Sequence, residues 1–248
     1  MESDPIYLLV DAGNSRIKWG VHDGGGWIAR DAVPTAEAHS IGAKWTMLQG
    51  VARATASNVA GVLVARDLER ACRERNVALT IIRSQAKQLG VTNGYQDPTQ
   101  LGADRWAALI AAHHAQPAGN KLVVTAGTAL TIDALAADGR FLGGLIVPGA
   151  ALMRRSLDRG TAGLRLAEGA FAEFPSATAD AIATGSIDAC VGAIARVAQR
   201  MAARGCAPAR IVLSGGAAQE IAPHLPIAHA FHENLVLDGL ALIARQPS

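Results

Sequence analysis

Apolar and polar positions fall into two similar blocks along the chain. The first block opens on Tyr7-Leu8-Leu9-Val10, an apolar run that ends in Asp11 and is followed by a Gly13-Asn14 turn. Beyond the turn Ile17, Trp19 and Val21 alternate with Arg16 and Lys18, the period of two expected of a strand with one buried face. An Asp23-Gly24-Gly25-Gly26 turn comes next, so residues 6–31 predict a three-stranded meander. Helical spacing over 36–50, a short strand over Ala56–Ala60 and an Arg- and Glu-rich helix over Val64–Arg75 follow. Leu79–Ile82 is aliphatic enough for the interior of a parallel sheet. Residues 84–101 are polar, punctuated by Asn93-Gly94 and Asp97-Pro98, and predict a surface loop. Gly102–His114 then reads as a helix with Trp106, Leu109, Ile110 and His113 on one face.

Pro117-Ala118-Gly119-Asn120 is the natural boundary, giving domains over 1–117 and 118–248. The second block repeats the opening, with strands expected at 121–126, 128–135 and 140–147. A helix from Ala150 to Leu157 leads into an irregular stretch over 158–177. The longest helical pattern covers 178–203, where Ile182, Ile187, Cys190, Val191, Ile194, Val197 and Met201 recur at helical spacing and Gly205 serves as the cap. A strand over Arg210–Leu213, a Ser214-Gly215-Gly216 turn into a helix, and a closing helix over Asn234–Arg245 complete the chain. This alternation is that of an α/β protein.

Composition narrows the chemistry. Half of the 248 residues are apolar, so an ordered globular core is expected. A formal charge of +2 with no Lys/Arg block gives no sign of a polyanion-binding specialisation, and no helix-turn-helix is legible. Cys72, Cys190 and Cys206 are too scattered for a disulfide framework or a zinc signature. The opening Met-Glu-Ser-Asp-Pro lacks a basic segment followed by an apolar one, and no uninterrupted apolar run spans a bilayer. A cytoplasmic address is the expectation.

Several residues carry candidate chemistry. Asp11 closes a buried strand beside a glycine turn, a place where a carboxylate can hold Mg²⁺ while turn amides meet phosphate oxygens; the same four residues also make a good hairpin turn. Thr125-Ala126-Gly127-Thr128 repeats that grammar in the second block, which points to two related domains offering turns to one polyphosphate. Asp104 lies in the first turn of its helix, where it complements the helix dipole or serves as a base. Lys18 is placed to reach phosphate or simply to face solvent. Gly143-Gly144 and Pro148-Gly149 mark close backbone approach, to ligand or to a facing strand. His113 and His114 lack the carboxylate neighbours of a metal site.

Asp11-Ala-Gly-Asn-Ser-Arg-Ile-Lys18, Gly102-Ala-Asp-Arg105, Thr125-Ala-Gly-Thr-Ala-Leu-Thr-Ile-Asp133 and Gly143-Gly-Leu-Ile-Val-Pro-Gly149 occur in that order. Together with Thr184-Gly185-Ser186, Ser214-Gly215-Gly216 and Asn234–Leu240, they resemble the type III pantothenate kinases over residues 6 to about 243. The resemblance implies two duplicated actin-like (ribonuclease H-like) domains, each a mixed five-stranded sheet flanked by helices, with an ATP cleft between them. It implies transfer of the γ-phosphoryl group of ATP to the primary hydroxyl of pantothenate, the first step of coenzyme A biosynthesis. A nucleotide-binding accessory protein without turnover is the alternative, and a kinase of another small alcohol a third. By resemblance Asp104 is the catalytic base, Asp11 the Mg²⁺ ligand, and Gly13, Asn14, Ser15, Lys18, Gly127 and Thr128 bind ATP. Tyr95, Gly102, Ala103, Asp104, Arg105 and Thr184 would hold pantothenate, Asp133 would at most support the metal, and the turn at Ser214 would receive adenosine. The family has an aspartate where this chain has Thr125, which weakens the expectation of a K⁺ or NH₄⁺ site. The implied assembly is a homodimer through the long helix, without nucleic acid or membrane.

Overall fold

The computed structural model describes residues 5–45, 50–161 and 168–246. The chain opens as β1 (Ile6–Ala12), β2 (Arg16–His22) and β3 (Trp27–Pro34), the expected meander. A 3-10 segment over Thr35–Ser40 and α1 (Ile41–Lys44) take the place of the expected helix over 36–50, whose remainder at 46–49 lies outside the described residues. Next come β4 (Val51–Asn58), α2 (Val62–Arg73), β5 (Ala78–Ile81), a two-residue hairpin of β6 (Lys87–Gln88) and β7 (Val91–Thr92), and α3 (Ala103–His114). The second stretch contains β8 (Lys121–Ala126), β9 (Ala129–Leu135), β10 (Phe141–Pro148), α4 (Ala150–Gly160), α5 (Thr178–Ala203), β11 (Arg210–Ser214), α6 (Ala218–Ile221) and β12 (His229–Phe231). The closing helix α7 covers Leu235–Ala244. Of the irregular stretch expected over 158–177, residues 162–167 lie outside the described ones.

Two compact units result: one runs to Ala115 and resumes at Asn234, the other spans Gln116–Glu233. The sheet of the first is ordered β3-β2-β1-β4-β5 and that of the second β10-β9-β8-β11-β12. In each, three antiparallel strands come first and two parallel ones are added beside the first strand of the meander. This is one mixed five-stranded topology used twice.

In the first unit β1 is central, paired antiparallel with β2 and parallel with β4, which is why Leu8, Leu9 and Val10 are buried on both faces. β4 starts five residues earlier than the sequence suggests. Its Val-Ala-Arg-Ala-Thr-Ala-Ser-Asn string has weak strand propensity, and pairing along the whole of β1 overrides it. β5 is an edge strand with an alternating half-exposed pattern, not the interior strand its aliphatic residues suggest, because the sheet ends there. The closing helix α7 also departs from expectation, for it belongs to the first unit. Leu237, Leu240 and Ala241 join Tyr7, Leu9, Ala103 and Ala107 in one apolar cluster. Gly239 makes that packing possible, since a Cβ there would sit on the carbonyl of Ala107.

In the second unit α5 lays Cys190, Ile194, Val197, Ala198 and Met201 against Leu122, Val124, Leu130, Ile132, Ile211 and Leu213. An 18-residue window of this helix has a mean hydropathy of 1.4, enough by length and composition to cross a bilayer and more apolar than the sequence reading allowed. Its packed stripe is that of a core helix. α6 is a single turn after Gly215-Gly216, and β12 is a three-residue edge that the hydrophobic pattern does not announce.

Candidate active site

The first unit assembles a polar row across three strands. In the β1–β2 register Asp11 faces Lys18, and in the β1–β4 register it faces Ser57. Cross-strand partners share a face, so Lys18, Asp11 and Ser57 line up side by side at the end of the sheet. The Ser57 hydroxyl donates to Asp11 Oδ1 at 2.9 Å. The Asp11 carboxyl is pushed up to about 6, chiefly by desolvation; Ser57 and Lys18 lower it, while the charge of Asp104 raises it further. That coupling brings Asp11 and Asp104 into one electrostatic site within the same unit.

The turn after Asp11 is held tightly. Gly13 N–H donates to Arg16 O at 3.1 Å, Thr35 N–H to Ser15 O at 3.1 Å, and Thr35 Oγ1 to Gly13 O at 2.7 Å. Val59 N–H reaches Ala12 O at 3.0 Å from the end of β4. Asn14 and Ser15 form its exposed tip. A fixed turn with an exposed tip suits backbone capture of an anion.

Asp104 sits in the first turn of α3, after Gly102 and Ala103. Its Oδ1 accepts from Arg105 N at 2.8 Å, and burial raises its carboxyl above the ordinary range against the lowering effect of that hydrogen bond and of the Arg105 charge. A Cβ on Gly102 would stand 2.6 Å from Asp104 Oδ1, so the glycine makes room for the carboxylate. Arg105 is buried and donates from Nη1 to Tyr95 Oη at 3.0 Å, with the guanidinium 5.8 Å from the ring centroid. The loop that carries Tyr95 is fastened to its own backbone: Tyr95 N–H donates to Asn93 Oδ1, Asn93 Nδ2 to Pro98 O, and Ser84 Oγ binds the carbonyls of Pro98 and Leu101. Tyr95, Gly102, Ala103, Asp104 and Arg105 are thus brought together on one unit.

The second unit repeats the turn with different chemistry. Gly127 N–H donates to Ala129 O at 3.0 Å, and Thr128 stands at the tip. Gly149 and Gly215 explain the glycine motifs that flank it. A Cβ on Gly149 would strike the Gly127 carbonyl, and one on Gly215, which has φ +100°, would strike Ala126. Both are close approaches of backbone to the turn itself. Thr125 is in register with Thr131 on one side and Ser214 on the other, a row of three hydroxyls where the first unit has Lys18, Asp11 and Ser57. Asp133 is buried below it on β9. Thr184, in α5, is buried with its hydroxyl engaged by the chain before that helix: it accepts from Ala172 N at 3.0 Å and donates to Ala172 O at 3.3 Å.

The sequence reading passed over Ser57 and Thr35. The available signal was indirect: a polar Thr-Ala-Ser-Asn end on a strand that must pair with β1. As a metal site the donor set is sparse, for no group of three or more His, Cys, Asp or Glu side chains forms among the described residues. A single carboxylate beside a phosphate-ready turn nevertheless suits Mg²⁺, which takes one or two carboxylates and completes its shell with water and phosphate oxygens.

The profile of the type III pantothenate kinases matches residues 7–200. A type III pantothenate kinase of Dechloromonas aromatica is 45% identical over 244 residues, covering 96% of this chain and 99% of the relative. Among solved structures, a Baf-family protein of Campylobacter jejuni superposes with a TM-score of 0.63 at 20% identity, covering 96% of this chain and 97% of that one. An archaeal actin homologue gives a TM-score of 0.53 at 10% identity, over 98% of this chain and 100% of that one, a likeness of fold alone. On the match to the family over most of its length, the chain belongs to the type III pantothenate kinases.

Proposed function

We propose that this chain carries out its family's reaction, transfer of the γ-phosphoryl group of ATP to the primary hydroxyl of pantothenate, and that Asp104 and Asp11 divide the work. The observation that carries the reading is the pairing of a desolvated carboxylate beside an anion-ready turn with a second raised carboxylate in the same unit. Phosphoryl transfer is mostly positioning and charge neutralisation, with a nearby acceptor for the hydroxyl proton. Asp104 takes that proton as the hydroxyl oxygen bonds to the γ-phosphorus and the bond to the ADP oxygen breaks. Its raised basicity suits the role. Arg105 and Tyr95 orient the pantothenate carboxylate and amide, with Gly102 and Ala103 keeping the approach open. Gly13, Asn14, Ser15 and Lys18 hold phosphate oxygens, and Gly127 and Thr128 offer a second such turn in the other unit. Mg²⁺ bound at Asp11 would neutralise the β- and γ-phosphates. The hydroxyl of Thr184, expected to meet pantothenate, is engaged by Ala172 within the second unit.

The all-hydroxyl row at Thr131, Thr125 and Ser214 carries no charge, so a monovalent cation there would be held weakly and the K⁺ or NH₄⁺ requirement should be slight. We further propose a cytoplasmic homodimer through α5, acting without nucleic acid or membrane. The test is ADP release from MgATP with and without pantothenate, in Na⁺ or K⁺, for the wild type and Asp104→Asn. Pantothenate-dependent ADP formation that is lost by 10²-fold or more in the variant, at unchanged ATP affinity, is expected (about 10²–10⁴ for a general base). Equal turnover by Asp104→Asn would remove Asp104 from the mechanism. Nucleotide binding without turnover in either salt would favour an accessory role.

A further inference from the structure

We infer that Ser57 is a positioning residue for the metal-binding carboxylate, fixing which oxygen of Asp11 is offered to the cation; the inference rests on the Mg²⁺ role given to Asp11 above. Ser57 is fully buried, at 0% exposure, and stands directly beside Asp11 in the parallel β1–β4 register. A hydroxyl has one proton to give, and Ser57 gives it to Oδ1 at 2.9 Å. Among the described residues no other hydrogen bond reaches this carboxylate. Oδ1 is therefore engaged by a hydrogen bond, and Oδ2 is the oxygen that accepts none among the described residues.

Two features make this more than a satisfied serine. The neighbour on the other flank, Lys18, is a cation on a long stem. It cannot orient Asp11 toward a metal without competing with that metal for charge, so the orienting contact has to come from the neutral side. Mg²⁺ demands near-octahedral geometry at about 2.0–2.1 Å, so a carboxylate free to rotate loses affinity that a fixed one keeps. Partners that orient a metal ligand are typically worth about 10–100-fold in metal affinity. The contact also comes from strand backbone paired with β1 at Ser57 itself and with β5 as far as the preceding residue, Ala56. It is therefore set before any ligand arrives.

The probe is Mn²⁺ in the presence of ADP, followed by the electron paramagnetic resonance of free Mn²⁺ with the full chain. Ser57→Ala removes one atom from a buried site and should weaken Mn²⁺ about tenfold or more. In turnover it should raise KM for Mg²⁺ while kcat at saturating Mg²⁺ stays within about twofold, a split that mere loosening of the strand would not produce. Introduced into Asp11→Asn, the same change should have no further effect, since there is no longer a carboxylate to orient. Mn²⁺ affinity within twofold of wild type in Ser57→Ala, or an equal loss in the Asp11→Asn background, overturns the inference. Asp11→Asn that binds Mn²⁺ as wild type does overturns the Asp11 assignment together with it, which separates the two failures.

Discussion

The metal-free protein should be more stable without the charge of Asp11. Burial raises this carboxyl from 3.8 to about 6, so the folded chain holds a proton that the unfolded chain has already released over that interval. Stability is then full below about pH 4, falls as pH rises through the interval, and is flat above it. A rise from 3.8 to about 6 corresponds to about 3 kcal/mol at 1.36 kcal/mol per tenfold change in protonation. The residue as a whole is partly exposed, so solvent screening leaves roughly 1–3 kcal/mol. Asp11→Asn removes the ionisation and keeps an oxygen to accept from Ser57. At pH 8 the metal-free variant should melt higher than wild type by about 2–10 °C, for a chain of this size.

The assay is a set of thermal melts from pH 4.5 to 8, with and without Mg²⁺ and ADP. The gap between variant and wild type should be small at the acid end, widen through pH 6, and then level off. Mg²⁺ with ADP should lift the wild type more than the variant, because only the wild type keeps the carboxylate for the metal and binding stabilises in proportion to affinity. The stabilised variant should be inactive. A gap independent of pH, or a variant that melts lower than wild type at pH 8, would refute the argument that the site is held at a cost in stability.

Three further outcomes follow from the same geometry. Tyr95→Phe removes the acceptor of the Arg105 Nη1 hydrogen bond while keeping the ring near the guanidinium. At about 1.5 kcal/mol or more for a charge-assisted bond, KM for pantothenate should rise about tenfold with a smaller change in kcat, and an unchanged KM would detach the pair from the substrate. Gly239→Ala drives a methyl into the Ala107 carbonyl between α7 and α3, and should cost about 1–3 kcal/mol, read as a lower melting temperature with cofactor affinities intact. If Asp104 is the proposed base, the acid limb of kcat/KM for pantothenate should lie above the ordinary carboxylate range of about 4, because a base must lose its proton to act and burial of Asp104 delays that loss. Asp11 and Asp104 feel one another, so the limb belongs to the pair, and an inflection near pH 4 would count against both.

How much of this could be read from the chain depends on the range of the interaction involved. The meander over β1–β3 and the 26 residues of α5 were legible because each carries its own period, two in one case and helical in the other. The first half of β4 is not legible, because nothing local in Val-Ala-Arg-Ala specifies a strand; only the need to pair with all of β1 does. The three residues of β12 carry no period at all. The place of α7 is longer range still. Its helical pattern is plain, but the partner that accepts Gly239 lies more than a hundred residues back, at Ala107 in α3.

The site divides in the same way. Asp11 and Asp104 stand out within short motifs, whereas the bond between Arg105 and Tyr95 joins two elements and has no local signal. Ser57 could not be found at all by motif, since its meaning exists only in the register that sets it beside Asp11. The same registers explain how a duplicated topology gives unequal halves. Each sheet ends its first strand at a small turn, and each places a serine beside that end, Ser57 in one and Ser214 in the other. In the first the intervening residue is a carboxylate with Lys18 across from it; in the second it is Thr125 with Thr131 across from it. One row sets an anion and a cation side by side, and the other offers only hydroxyl oxygens. The turns repeat with the topology, and it is the cross-strand neighbours of those turns that decide which one carries the charge.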